Sequence, residues 1–181
     1  MRIFIALKTT SYESNLFKLV LEFKKSIKGN IKWVSKDNLH VTEKFLGEVS
    51  EDFLKEIFQI VNEIASSFES FDFYIKGVSG FPSIDNARVL FFSIVDPTES
   101  IVKIMKDFDE RFLKFDFKRE TSYIPHITFG RAKGEFVDIS KLSVPDFEIK
   151  VSALGLTVFE SKLESSGPKY NEIGGFDFLN K

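Results

Sequence analysis

The sequence predicts an α+β fold with two pseudo-symmetric antiparallel-sheet lobes, outer helices and a central groove. Two observations carry this expectation. A strand–helix–strand order occurs twice along the chain, and the only two histidines stand at the same place in each copy. Arg2 opens the first copy 38 residues before His40 (2 to 40), and Arg88 opens the second 38 residues before His126 (88 to 126). Such a repeat reads as an internal duplication with an approximate two-fold axis. Coincidence between two ordinary strand–helix–strand stretches is the alternative.

In the first copy, Arg2–Leu7 is an apolar run of strand length, and Thr10-Ser11-Tyr12-Glu13 reads as a capping box. Leu16, Val20, Phe23 and Ile27 then recur at helical spacing, with Gly29 placed to end the helix. A short strand over "IKWV" and a strand carrying His40 follow. Ser50 is placed to cap a second helix with an apolar stripe of Phe53, Ile57, Ile60, Val61 and Ile64.

The second copy starts with a strand over Arg88–Ile94. Asp96 is expected as N-cap, with Pro97 in the first helical turn and Ile101, Met105, Phe108 and Phe112 as the buried stripe. After the His126 strand, "FVDISKL" reads as a shortened helix. "FDFYIKGVSGF" from Phe71 and "FEIKVSALGLTVF" from Phe147 alternate as matching strands, and "ESKLESSGPKYNEIGG" reads as a loop into the last strand. With 181 residues and 43% hydrophobic content, residues 1–181 are expected to form a single domain of two interleaved lobes.

A net charge of −2 gives no global positive field, so any nucleic-acid contact must be local. Zero cysteines removes disulfides and thiolate chemistry and fits a cytoplasmic protein. No apolar run approaches membrane-spanning length, so no membrane partner is expected.

The chemistry lies in "NLHVTEKFLG" and "IPHITFGR". Residues i and i+2 of a strand share a face, so His40 projects with Thr42 and His126 with Thr128. A two-fold would set these pairs against each other across the groove. An imidazole titrates near pH 6.5, so one can accept a proton while the other donates one. In-line attack at phosphorus needs that pair, plus donors for the non-bridging oxygens, which the threonine hydroxyls can be. Which histidine is acid and which base stays open by symmetry. Two histidines without a third His, a Cys or a His-Glu-x-x-His motif make a poor zinc site, so neither metal nor cofactor is expected. No Gly-x-Ser-x-Gly elbow is present.

These residues resemble the paired His-x-Thr motifs of the two-histidine (2H) phosphoesterases, specifically the RNA 2′,3′-cyclic phosphodiesterases, also called 2′-5′ RNA ligases. The likeness includes "MRIFIAL", "GFPSIDNARVLFFSI" and the tail "FESKLESSGPKY". It implies a bilobal fold and metal-independent hydrolysis of an RNA-terminal 2′,3′-cyclic phosphate to a 2′-phosphomonoester. It further implies His40 as proton donor, His126 as proton acceptor, and Thr42, Thr128 and Arg131 as phosphate-binding residues. RNA ends, tRNA fragments among them, are the implied partners of a monomer. The alternatives are a non-catalytic RNA-end-binding module and a 2′-5′ RNA ligase running the reverse reaction.

Glu43 departs from the family pattern, which has an apolar residue there; a hydrogen-bonding partner or an exposed strand end is expected for it. Lys44 reads as a surface lysine on the His40 face. Lys24, Lys25, Lys28, Lys32, Lys114, Lys118 and Arg119 are candidates to flank the groove, with a solvated helix end as the equal alternative.

Overall fold

A computed structural model describes residues 1–180. The elements run β1 (Arg2–Thr9), α1 (Glu13–Ser26), β2 (Ile31–Trp33), β3 (Thr42–Glu48), α2 (Leu54–Ala65), β4 (Phe71–Ser83), β5 (Asn86–Val95), α3 (Ser100–Phe112), β6 (His126–Ala132), β7 (Ile149–Glu164) and β8 (Gly167–Asp177). Strand order is β2-β6-β5-β4-β7-β1-β3, with β8 against β7, and the pairings are antiparallel.

The duplication is visible in that order. Exchanging β1 with β5, β3 with β6 and β4 with β7 turns the path β6-β5-β4-β7-β1-β3 into its own reverse. The axis falls where the two matching strands of the sequence meet. Phe73 faces Val151 and Ile75 faces Ile149 on either side of Tyr74 opposite Lys150.

The halves are interleaved through their helices and one edge strand. α3, which follows β5, packs on β3 of the first half. Phe23 of α1 meets Phe92 and Phe129 of the second half, with ring centroids 6.1 and 5.5 Å away. β2 adds to the edge at β6. Phe23, Phe92, Phe108 and Phe129 are fully buried, and such burial stabilises by about 1.5–3 kcal/mol per side chain. Neither half could bury these rings alone.

Several sequence expectations are corrected. α1 has no side-chain cap: Glu13 reaches back one residue to accept from the Tyr12 N–H at 2.9 Å, half of a capping box. Ser50 likewise makes no capping bond, and a 3-10 turn over Glu51–Phe53 precedes α2. Asp96 is not the N-cap of α3, because Glu99 takes that position in a left-handed conformation (φ 57) and leaves Pro97 outside the helix; the Asp96 carboxylate still accepts from the Ile101 N–H at 2.9 Å. "FVDISKL" is not helical. Val137 bridges Ala87, and Asp138 accepts from the Ser140 N–H and hydroxyl, a local turn that competes with helix formation. "ESKLESSGPKYNEIGG" is the hairpin joining β7 to β8.

Each His-x-Thr strand carries a β-bulge right after its threonine. Ile5 faces Lys44 while Ala6 faces Thr42, leaving Glu43 as the extra residue. Leu90 faces Gly130 while Phe91 faces Thr128, leaving Phe129 extra. The two bulges are equivalent in the repeat, 86 residues apart (43 to 129). A bulge breaks simple alternation and re-aims the side chains beyond it. Thus Phe45, which simple alternation would set on the side away from His40, stacks on Phe4, and Phe4 contacts the His40 ring.

Candidate active site

His40 stands just before β3, where the Leu7 N–H donates to Val41 O and extends the ladder by one residue. His126 is the first residue of β6, opposite Ser93. Each ring is tied to the carbonyl two residues earlier: His40 Nδ1 lies 2.6 Å from Asn38 O, and His126 Nδ1 2.7 Å from Ile124 O. A carbonyl only accepts, so Nδ1 carries the hydrogen in both rings. Nε2 is then the atom left to exchange protons.

The turn behind His40 is itself anchored, as the Asn38 side-chain amide donates to Pro168 O at 2.7 Å. Aromatic rings fix the imidazole planes. Phe4 and Tyr170 flank His40 at centroid distances of 4.8 and 5.3 Å. Phe81 and Phe91 flank His126, both at 5.1 Å.

His40, Thr42, His126, Thr128 and Arg131, the five site residues expected from sequence, all line one cavity of about 240 Å3. Burial lowers the His40 pKa to about 4; the Asn38 carbonyl opposes this, and the fields of His126 and Arg131 add to it. Burial likewise lowers His126, against the Ile124 carbonyl and with help from Arg131. Burial therefore favours the neutral form of both imidazoles.

Sequence reasoning missed Tyr170, because β8 reaches His40 only through the β7 hairpin. It also misjudged Lys44. That side chain is buried, and its ammonium lies 2.6 Å from Asp109 Oδ1 and donates to Lys118 O at 2.9 Å. Asp109 Oδ2 accepts from the Tyr123 hydroxyl at 2.6 Å and from the Glu120 N–H at 2.7 Å. Burial pushes the Asp109 carboxyl up, but the bonds from Lys44, Tyr123 and Glu120 outweigh it and hold the group below its ordinary value. The network ties β3 to the irregular stretch that ends in Ile124 and His126. A helical Asp at 109 reads as surface charge until its partners are known.

Glu43 has neither the partner nor the exposure expected of it. It is 2% exposed, and neither carboxyl oxygen has a hydrogen-bond partner among the described residues. Burial, helped by the Asp96 charge, raises its pKa well above the ordinary value. Its counterpart in the repeat is the fully buried Phe129, so the bulge drops a carboxyl into a core position.

The fold and site together define a two-histidine phosphoesterase. Residues 7–91 match the family LigT like Phosphoesterase. The chain is 33% identical, over 96% of its length and 98% of the relative's, to the RNA 2′,3′-cyclic phosphodiesterase of Methanocaldococcus jannaschii. It is 28% identical to the protein of the same name from Archaeoglobus fulgidus, over 98% of this chain and 100% of that one. The fold matches that of E. coli LigT complexed with 3′-AMP at a TM-score of 0.76 and 18% identity, covering 98% of this chain and 97% of that one. The chain belongs to the LigT-like phosphoesterase family. No helix among the described residues is long and apolar enough to cross a membrane.

Proposed function

We propose that this protein hydrolyses the 2′,3′-cyclic phosphate at an RNA end to a 2′-phosphomonoester, without a metal, through its two histidines. The observation that carries the reading is the matched pair of imidazoles, each with Nδ1 tied to the carbonyl two residues back and each lining the same cavity. The relatives named for this activity support the choice of substrate.

Water attacks phosphorus in line with O3′. A new P–O bond forms, the P–O3′ bond breaks, the proton of the water passes to Nε2 of His126, and the proton on Nε2 of His40 passes to O3′. Thr42 and Thr128 donate to the non-bridging oxygens, and Arg131 offsets the charge that gathers there. Burial makes both histidines lose protons readily, and the negative charge of the substrate favours the protonated form of His40. A non-catalytic phosphate clamp would be better served by Arg or Lys than by imidazoles at positions 40 and 126. The ligase reading is the same ring opening with a 5′-hydroxyl in place of water.

Turnover of an oligonucleotide ending in a 2′,3′-cyclic phosphate, with EDTA present, tests the reading. Wild type is expected to release the 2′-phosphate, and His40→Ala and His126→Ala to lose that activity. Full activity in either variant overturns the mechanism, and abolition by EDTA overturns its metal independence.

A further inference from the structure

The cavity between the histidines does not end at Arg131 and Tyr170. Both residues, with Phe45, also line a neighbouring cleft of about 840 Å3 that Arg2 and Lys32 border on its far side. Its charges are unusual in their pairing. Among the described residues, Arg2, Lys32 and Arg131 make no ion pair and no side-chain hydrogen bond, whereas the two acids of the cleft are occupied. Glu48 lies 3.4 Å from the Met1 ammonium although it faces Arg2 in the β1–β3 ladder, and Glu160 lies 3.3 Å from Lys162.

Lys32 and Arg131 stand directly opposite each other in the β2–β6 ladder. Like charges at such a pair are destabilising unless an anion lies between them. Arg2, on β1 of the first half, lines the same cleft as Arg131 and Tyr170. Phe45 is 46% exposed, with its ring stacked on Phe4 at 5.5 Å. Unpaired cations along a groove, beside an aromatic face, are the elements with which proteins hold single-stranded nucleic acid without reading sequence.

Resting on the cyclic-phosphate reading above, we propose that this cleft binds the RNA chain on the 5′ side of the reacting end. A base stacks on Phe45, and the first phosphodiesters lie along Arg131, Lys32 and Arg2. The protein then prefers oligonucleotide ends over cyclic mononucleotides. A local cationic track supplies the RNA contact that a net charge of −2 does not.

The test is fluorescence anisotropy of a 5′-labelled RNA tetranucleotide ending in a 2′-phosphate, titrated at several salt concentrations. The tetranucleotide is expected to bind at least tenfold more tightly than a labelled nucleoside 2′-phosphate. The slope of log K against log salt should become about 0.7 shallower for each of Lys32→Ala and Arg2→Ala, one phosphate contact apiece. Phe45→Ala should weaken binding about tenfold. Equal affinity for the two ligands, an unchanged slope in both charge variants, or equally tight binding of an acidic peptide of the same charge overturns the proposal. Hydrolysis of a saturating tetranucleotide ending in a 2′,3′-cyclic phosphate by the same preparations reports on the catalytic reading alone. If that hydrolysis fails while binding keeps its dependence on Lys32 and Arg2, the catalytic reading falls and the cleft stands.

Discussion

The His40 and His126 half-sites share one plan and differ in what surrounds it. In both, a carbonyl two residues back holds Nδ1, two aromatic rings brace the imidazole, and a bulge follows the threonine. The differences lie just beyond the bulge. Lys44 in the first copy corresponds to Gly130 in the second, and Phe45 corresponds to Arg131. One half thus presents an aromatic face and the other a cation. In the proposed reading, duplication supplied two equal proton carriers, and divergence beside them lets a symmetric frame hold an asymmetric ligand, a base on one side and phosphate on the other.

The largest expected effect falls on what the halves share. His40→Ala and His126→Ala should each lower kcat by about 10²–10⁴-fold, and the double variant should be little worse than either single one, because the pair acts as a unit. Strict additivity in single-turnover kinetics would show that the halves work independently. Thr42→Val and Thr128→Val should each cost about 10²-fold in kcat, as loss of an oxyanion donor does. A large effect from only one threonine would mean that a single lobe holds the phosphate oxygens.

The next tests concern what the halves do not share. Lys44→Met leaves Asp109 buried without its cation and should destabilise by about 3–5 kcal/mol in urea unfolding. Tyr123→Phe removes a hydrogen bond to a charged group and should cost about 1.5–3 kcal/mol. If the network positions the His126 approach, Tyr123→Phe should also shift the pH profile of kcat/KM, an effect that a purely structural bond would not produce. Burial lowers His126, the base, so loss of kcat/KM on acidification should begin below the ordinary value of about 6.5.

The smallest effect concerns the mismatch between Glu43 and Phe129. Glu43→Leu removes an unpartnered buried carboxyl and should stabilise by about 1–3 kcal/mol at pH 7. The folded carboxyl keeps its proton at a pH where the unfolded one has released it. Its contribution is therefore complete below the unfolded value, about 4.3, and is lost as pH rises toward the folded value. Glu43→Leu should flatten that decline, and an unchanged pH dependence in thermal melts would place the cause elsewhere.

The legible parts of the molecule were those written in local periodicity and in repeated spacing. The apolar stripes of α1, α2 and α3, the strand pair meeting at Tyr74 and Lys150, and the two His-x-Thr pairs of the cavity follow from such patterns, whereas Arg131 rested on the family resemblance. Capping was less legible, because Tyr12, Phe53 and Glu99 take the N-cap positions without a side-chain bond. "FVDISKL" misled because its apolar spacing suits a helix as well as an extended bridge to Ala87.

By itself, then, the sequence determined that two His-x-Thr strands stand in equivalent places of a duplicated α+β unit, because side-chain periodicity and repeat spacing are properties of the chain alone. Only the tertiary structure decided which side chains reach those strands. The bulges turned Phe45 toward the cavity and Glu43 into the core. Long-range pairing brought Tyr170, Asp109 and Lys32 to their partners. A bulge and a cross-strand neighbour each depend on register with a distant strand, and no local pattern encodes that register.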